Sequence, residues 1–423
     1  MGETAVRKKS VLENGLRVIT EEMSSVRSAS IGLWVDVGSS AEAPHLRGIS
    51  HMVEHMLFKG TERRSAREIA EALDSVGGDL NAFTDKETTC YYAKVIDRHV
   101  PLAIDVLADM LAHSLFDPEE LRKERNVVLE EIKMYEDAPD DLVHEIFSQQ
   151  LWEGSDLGAP TIGFPETVAA LESSDLHAHL AAHYAPNAVV LCAAGNVDHD
   201  EIVALTRQAL GAQRGTAKLP TAAAPPAHIS LARRSKEIEQ VHLVLGGPSV
   251  SARDNRRYAL SVAQTILGGG MSSRLFQEVR EKRGLVYTVT AYGSTYREAG
   301  SLAVYAGTSL KNAQPCIDTI LDEVGRLASE PVGEEELRQA KEHLKGSMML
   351  GLESTSSRMM RLGRQELVHG REIPQEEIES GIDAVSTENV LEIARLAFTP
   401  QRRALALVGP TAAAEIGWGA HGA

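Results

Sequence analysis

The chain has 423 residues, 43% hydrophobic and 24% charged, a globular balance that excludes a disordered or fibrous protein and leaves room for two or three domains. Its formal charge of −17 (43 Lys+Arg against 60 Asp+Glu) speaks against a general nucleic-acid binder, which needs a surplus of basic residues. No apolar run approaches the roughly 18 residues that cross a bilayer, so no membrane span is expected. Cys90, Cys192 and Cys316 form no C-x-x-C, and the start, MGETAVRKKSVLENG, has no apolar signal region; both fit a reducing, cytoplasmic setting.

In chain order, Asn14-Gly15 between SVLE and LRVITEE signals a hairpin turn. SIGLWVDVG (30–38) reads as a strand. Helices follow at 46–58 and 65–76, the second opened by a Ser65/Glu68 capping box. Strands are expected near 78–84 and 88–96, then an amphipathic helix over 101–111 and an acidic helix beginning at Asp117. The Ala/Pro-rich stretch 212–228 reads as a linker. Beyond it, the strand GSLAVYAGTS (300–309) and the helix PCIDTILDEV (315–324) repeat the earlier order. Ile104-Asp105 pairs with Ile317-Asp318 at an offset of 213, and Leu121-Arg122 with Leu337-Arg338 at 216. Two similar offsets over successive elements point to an internal duplication. Each half is α+β, a sheet with helices packed on one face. The expected domains are 1–211 and 229–423, joined by 212–228. A helix over 336–367, with methionines at 348, 349, 359 and 360, is expected to be core or interface.

The charge is uneven: residues 1–215 carry 19 Lys+Arg and 36 Asp+Glu, so the whole imbalance lies there. It forms a soluble acidic surface or a field that attracts basic substrate. The same half holds His51-Met52-Val53-Glu54-His55. The histidines, at i and i+4, project from one helix face and can grip one ion, while Glu54 reaches a water beside it. Zinc hydrolases use three protein ligands and an open position. Glu124, Glu130, Glu131 and Glu136 on the acidic helix all qualify as the third, and spacing does not choose among them. At the repeat offset of 216, Glu131 falls on Ser347 and Glu124 on Ala340, and no H-x-x-E-H follows residue 215.

The H-x-x-E-H run, followed by MLFKGT and later by VVLEEIKMYED, resembles the pitrilysin/insulysin superfamily of inverted-motif zinc metallopeptidases, in particular the mitochondrial processing peptidase branch and its bacterial relatives. The likeness runs from ENGLRVIT to GGGMSSRLFQEVREKRGLVY. It implies two homologous αβ-roll domains, with largely antiparallel sheets, in a clam-shell around a chamber. The third ligand lies 76 residues after the second histidine, at Glu131, and a supporting acid seven residues earlier, at Glu124. One Zn²⁺ per chain would then be held by His51, His55 and Glu131, with Glu54 as general base. The resemblance also implies that the edge carrying Asn81, Ala82 and Phe83 takes up the peptide as an added strand. Arg280 and Tyr287 of the second domain would act on its backbone and the developing oxyanion. The expected activity is that of an endopeptidase on peptides or short unfolded segments. The expected assembly is a homodimer, or a heterodimer with a metal-less sister subunit. The rival reading is a catalytically silent peptide-binding or assembly subunit on the same scaffold.

Overall fold

The computed structural model describes residues 6–219, 223–410 and 416–417. The chain forms two compact units, and each takes segments from both sides of the 212–228 stretch. Unit 1 comprises 1–132, 159–221 and 350–372; unit 2 comprises 133–158, 222–349 and 373–423.

Unit 1 is built on six strands: β1 (Val6–Val11), β2 (Arg17–Glu22), β3 (Ser28–Val35), β4 (Asp79–Thr84), β5 (Thr89–Ile96) and β6 (Val189–Gly195). Their order is β1-β2-β6-β3-β5-β4, with β2 and β6 parallel and the other neighbours antiparallel. Unit 2 has β7 (Leu231–Ser235), β8 (Gln240–Ser249), β9 (Val286–Thr295), β10 (Gly300–Ser309) and β11 (Ala404–Gly409). Here the order is β7-β11-β8-β10-β9, and β7 and β11 are the parallel pair. With β1 set aside, the two sheets have the same order and the same sense at every junction. That identity carries the duplication much further than two helical offsets do.

The local signals explain the element ends. Gly15, at φ 94°, turns β1 into β2. Ser65 and Glu68 form the reciprocal cap of helix Ala66–Asp74. The motif helix is Ile49–Leu57, shorter than the 46–58 expected because Pro44–Leu46 forms a separate 3-10 turn. The stretch 336–367 is two helices, not one. Glu334–Gly351 ends, and Ser354 accepts a hydrogen bond from the Ser357 N–H to start Thr355–His369.

One face of each sheet carries several helices, among them Val100–His113 and His199–Leu210 in unit 1 and Ala313–Ser329 and Thr387–Phe398 in unit 2. The opposite face is covered too, which the expectation of helices on one face did not include. Helix Thr355–His369 lies on β2, β3 and β6 of unit 1, and helix Pro139–Leu151 lies on β7, β8 and β11 of unit 2. The reason is apolar surface. Ile19, Trp34, Cys90, Val190, Cys192 and Ala194 form a second core layer with Met359, Leu362 and Leu367. Val143, Phe147 and Leu151 do the same with Val244, Ala303, Ala406 and Val408. Polar contacts fix the first of these helices in register. Buried Glu366 accepts from Lys9 Nζ at 2.7 Å and Arg17 Nη1 at 2.9 Å, and the buried Glu21 is paired with Arg7 and Arg358.

Trp34 donates through Nε1 to the Met359 sulfur at 3.4 Å and rests on Gly363, where a Cβ would stand 2.2 Å from the indole. Gly363→Ala is therefore expected to destabilise unit 1 by about 2 kcal/mol, the usual cost of overpacking a filled core. A urea-unfolding midpoint equal to that of the parent chain would contradict this packing.

Candidate metal centre

The motif helix Ile49–Leu57 buries Ile49, Met52, Val53, Met56 and Leu57 in the unit 1 core. That apolar stripe turns His51, Glu54 and His55 toward the other side, where they are partly exposed. The helix packs beside β4 and β5. The acidic helix Pro118–Asp137 is anchored by buried Leu121, Val128 and Ile132. These anchors put Glu124 and Glu131, two turns apart, on the side facing the histidines, and leave Glu130 exposed.

The Nε2 atoms of His51 and His55 lie 3.8 Å and 3.6 Å from the same oxygen, Glu131 Oε2. The imidazole centroids are 4.4 Å apart. All three side chains offer one ligand atom within 4.8 Å of the others, and this is the one such trio among the described residues. Ligand atoms about 2.0–2.1 Å from a tetrahedral ion stand about 3.3 Å from one another, so the trio is close to a closed ligand set. On the far side of His55, Nδ1 is 2.9 Å from Glu124 Oε1, and Glu124 Oε2 is 2.6 Å from Lys59 Nζ. Glu54 hydrogen-bonds to the Thr84 hydroxyl, while its Oε2 is buried with no protein partner.

The electrostatics suit a cation. Burial, with His55 beside it, pushes the His51 pKa down to about 3, so His51 is a neutral imidazole with a free lone pair. Burial also opposes a charge on His55, but the Glu124 hydrogen bond and the nearby Glu131 and Glu54 carboxylates outweigh it and raise its pKa. The field that holds a proton on His55 is the field that attracts a metal ion in its place. Burial raises the carboxyl of Glu54, an effect that its bond to Thr84 reduces. Burial acts in the same sense on Glu124, where His55 and Lys59 reverse it and keep the carboxyl below its usual range. Two imidazoles and one carboxylate, with a carboxylate behind one imidazole, are a donor set that fits a divalent transition-metal ion.

Asn81, Ala82 and Phe83, expected to take up peptide, lie on β4, the edge strand next to the motif helix. Asn81 is exposed, and its Oδ1 accepts from the Ala82 N–H at 2.8 Å. Phe83 packs edge-on against Trp34. Arg280 and Tyr287 belong to unit 2 and touch each other: the guanidinium lies 5.0 Å from the Tyr287 ring centroid and 4.7 Å from that of Phe276. Tyr287 is 79% exposed, and Arg280 sits on the π-helical stretch Phe276–Lys282. Two contributors escaped the sequence reading. Lys59 follows His55 by four residues, a spacing that could have marked it as a partner on the same face; Thr84 ends the GGDLNAFT run and carried no separate signal.

In unit 2 the corresponding helix is Arg257–Gly268. Val262, Ala263, Ile266 and Leu267 are buried there as Met52, Val53, Met56 and Leu57 are in the motif helix, an offset of 210. That register puts Ser261, Gln264 and Thr265 in place of His51, Glu54 and His55. The Ser261 and Thr265 hydroxyls donate to carbonyls of their own helix, and Gln264 accepts from the Gly293 N–H of β9.

Residues 17–164 match the insulinase family (peptidase family M16), and residues 170–344 match the peptidase M16 inactive domain. A Bacillus subtilis protein described as an uncharacterized zinc protease is 45% identical over 404 residues, covering 96% of this chain and 98% of its own. A Streptomyces coelicolor protein of the same description is 42% identical over 414 residues, covering 95% and 89%. Among solved structures, a protease from Helicobacter pylori matches with a TM-score of 0.89 at 20% identity, over 96% of this chain and 99% of that one. A chain of Complex III2 from Candida albicans matches at 0.83 and 21%, over 96% of each. At those identities the two structures establish the shared fold. The chain belongs to the insulinase (M16) peptidase family.

Glu124→Gln keeps the shape of the side chain but removes the charge that Lys59 and His55 share. It is expected to weaken divalent-cation binding by about tenfold or more, the usual cost of losing a hydrogen-bonded partner behind a ligand. Titration with Co²⁺, followed by its visible absorption, reads this directly; unchanged affinity would remove Glu124 from the centre.

Proposed function

We propose that the chain is a zinc-dependent endopeptidase acting on peptides or short unfolded segments. One observation carries the reading: His51 Nε2, His55 Nε2 and the Glu131 carboxylate converge beside a Glu54 oxygen that is buried without a partner. The zinc-protease descriptions of the bacterial relatives support it. His51, His55 and Glu131 would hold one Zn²⁺ per chain. When bound, it supplies a Lewis acid able to bring the pKa of a water from about 15.7 toward about 7 and to draw charge from a carbonyl oxygen.

The chain's own residues do the rest. Glu54 takes the proton of the attacking water at Oε2 and passes it to the leaving amine nitrogen. Its burial favours the neutral carboxyl and so makes it the stronger base. Glu124 accepts from His55 Nδ1–H, which directs the other ring nitrogen at the cation. The edge of β4 at Asn81, Ala82 and Phe83 offers backbone groups to an extended peptide, a mode that binds with little side-chain preference. Arg280 is assigned to the substrate backbone and Tyr287 to the developing oxyanion.

Glu54→Gln is expected to retain zinc by elemental analysis while peptide turnover falls by at least about 10²-fold, and a chelator should abolish turnover in the parent chain. Parent-like cleavage by the variant would sink the general-base assignment. Zinc uptake without any cleavage in the parent chain would instead favour a silent peptide-binding subunit. We further propose a homodimer, for which light scattering should return twice the 45.8 kDa chain mass. A monomeric mass across the micromolar range would exclude it.

A further inference from the structure

The motif helix lacks a cap of its own. Its N-cap is Gly48, at φ 95°, with no side chain to accept the free N–H groups of the first turn. No other residue fits there, because a Cβ on Gly48 would stand 2.6 Å from the Ile162 carbonyl oxygen and 3.0 Å from Gly163 Cα. The missing acceptors come from six residues upstream. Glu42, 5% exposed, accepts the Gly48 N–H on Oε2 and the Ser50 N–H on Oε1, both at 2.8 Å. The loop that carries it is tied down as well. Arg47 donates to the Ser39 carbonyl at 3.1 Å, and the Thr167 hydroxyl donates to the Arg47 carbonyl at 2.7 Å.

We propose that Glu42 is a positioning residue of the metal centre: its carboxylate replaces the absent N-cap and sets how the motif helix presents His51 and His55 to Glu131. The proposal rests on the metal-site reading above. Both anchored N–H groups lie within three residues of His51, so a shift of the cap is passed on almost unchanged. The tolerance is small, since the two Nε2 atoms stand 3.8 Å and 3.6 Å from one Glu131 oxygen. An axial slip of the helix lengthens one distance as it shortens the other. Burial raises the Glu42 carboxyl to about 7, against the Ser50 and Gly48 N–H bonds and Arg47, which favour the anion at this end of the helix.

Unit 2 supplies an internal comparison. Its corresponding helix, Arg257–Gly268, has no ligands to place, and its lead-in is residues 250–256 instead of 36–48. There the one carboxylate of the lead-in, Asp254, accepts the N–H of the N-cap residue Arg256, as Glu42 accepts that of Gly48. Its oxygens otherwise go to the Arg256 guanidinium, and no side chain among the described residues accepts an N–H of that helix's first turn. The second bond, from Ser50 N–H to Glu42, is what sets the ligand-bearing helix apart.

The test uses the full chain and zinc alone. Glu42→Gln keeps the size and loses one acceptor; Glu42→Asp keeps the charge and loses reach. Ser65→Ala removes the cap of the neighbouring helix Ala66–Asp74 and serves as the control for lost stability without lost positioning. Zinc affinity is measured by competition with a chromophoric chelator, with circular dichroism and a thermal melt on each variant. Both Glu42 variants are expected to stay folded and to bind zinc about tenfold or more weakly, while Ser65→Ala lowers the melting temperature and leaves zinc affinity at the parent value. Should one Glu42 variant fail to fold, the other decides. Parent-like zinc affinity in the folded Glu42 variants would overturn the proposal and leave the metal site standing; a parent chain that binds no zinc would overturn both.

Discussion

The site is organised around an electrostatic debt. Three carboxylates, Glu54, Glu124 and Glu131, crowd two imidazoles at the junction of two helices, and Lys59 neutralises only one of the three. Folding must desolvate these groups and hold like charges together, and neither step is favourable by itself. The apolar stripes behind them supply the driving force: Met52, Val53 and Met56 on one helix, Leu121, Val128 and Ile132 on the other, all buried in the same core. A divalent cation held there, as proposed, would offset the remaining repulsion.

The two units show what happens when that constraint is lifted. They share strand order, strand sense and the buried face of the corresponding helix. Where unit 1 has His51, Glu54 and His55, unit 2 has Ser261, Gln264 and Thr265, and these three satisfy their hydrogen bonds within their own unit. The acidic helix changes in step, as Glu131 and Glu124 give way to Ser347 and Ala340. The scaffold is thus indifferent to the chemistry it carries.

Much of this was legible in the sequence, for identifiable reasons. The i, i+4 spacing of His51 and His55 places them on one face in any helix, and the Ser65/Glu68 cap and the Asn14-Gly15 turn are local devices that need no tertiary context. Choosing Glu131 over Glu124, Glu130 and Glu136 needed the family resemblance, because helical spacing fixes a face and not the direction in which that face points. Three features were out of reach of local reading. Glu42 caps a helix from beyond the usual cap position. The break at 352–354 carries no Pro and only a weak Ser cap. The second apolar face of each sheet was visible only as a run such as VVLCAAG in β6, buried at every position. Such a run states that both sides of a strand are covered, but not which helix covers them.

The traded helices have a consequence for how the protein is made. The sheet of unit 1 is complete once β6 has been synthesised, yet the helix that closes its second face, Thr355–His369, is translated about 160 residues later. Until then Trp34, Val190 and Cys192 lie on an uncovered apolar surface, bordered by Arg17 and Lys9 without the acid that pairs them. A fragment ending in the 212–228 stretch would carry the whole ligand set and still be a sticky, half-finished layer. The nascent chain must shelter that surface through the translation of residues 222–349, the larger part of unit 2, so the closing of unit 1 is set by the order of the polypeptide and not by the site it serves.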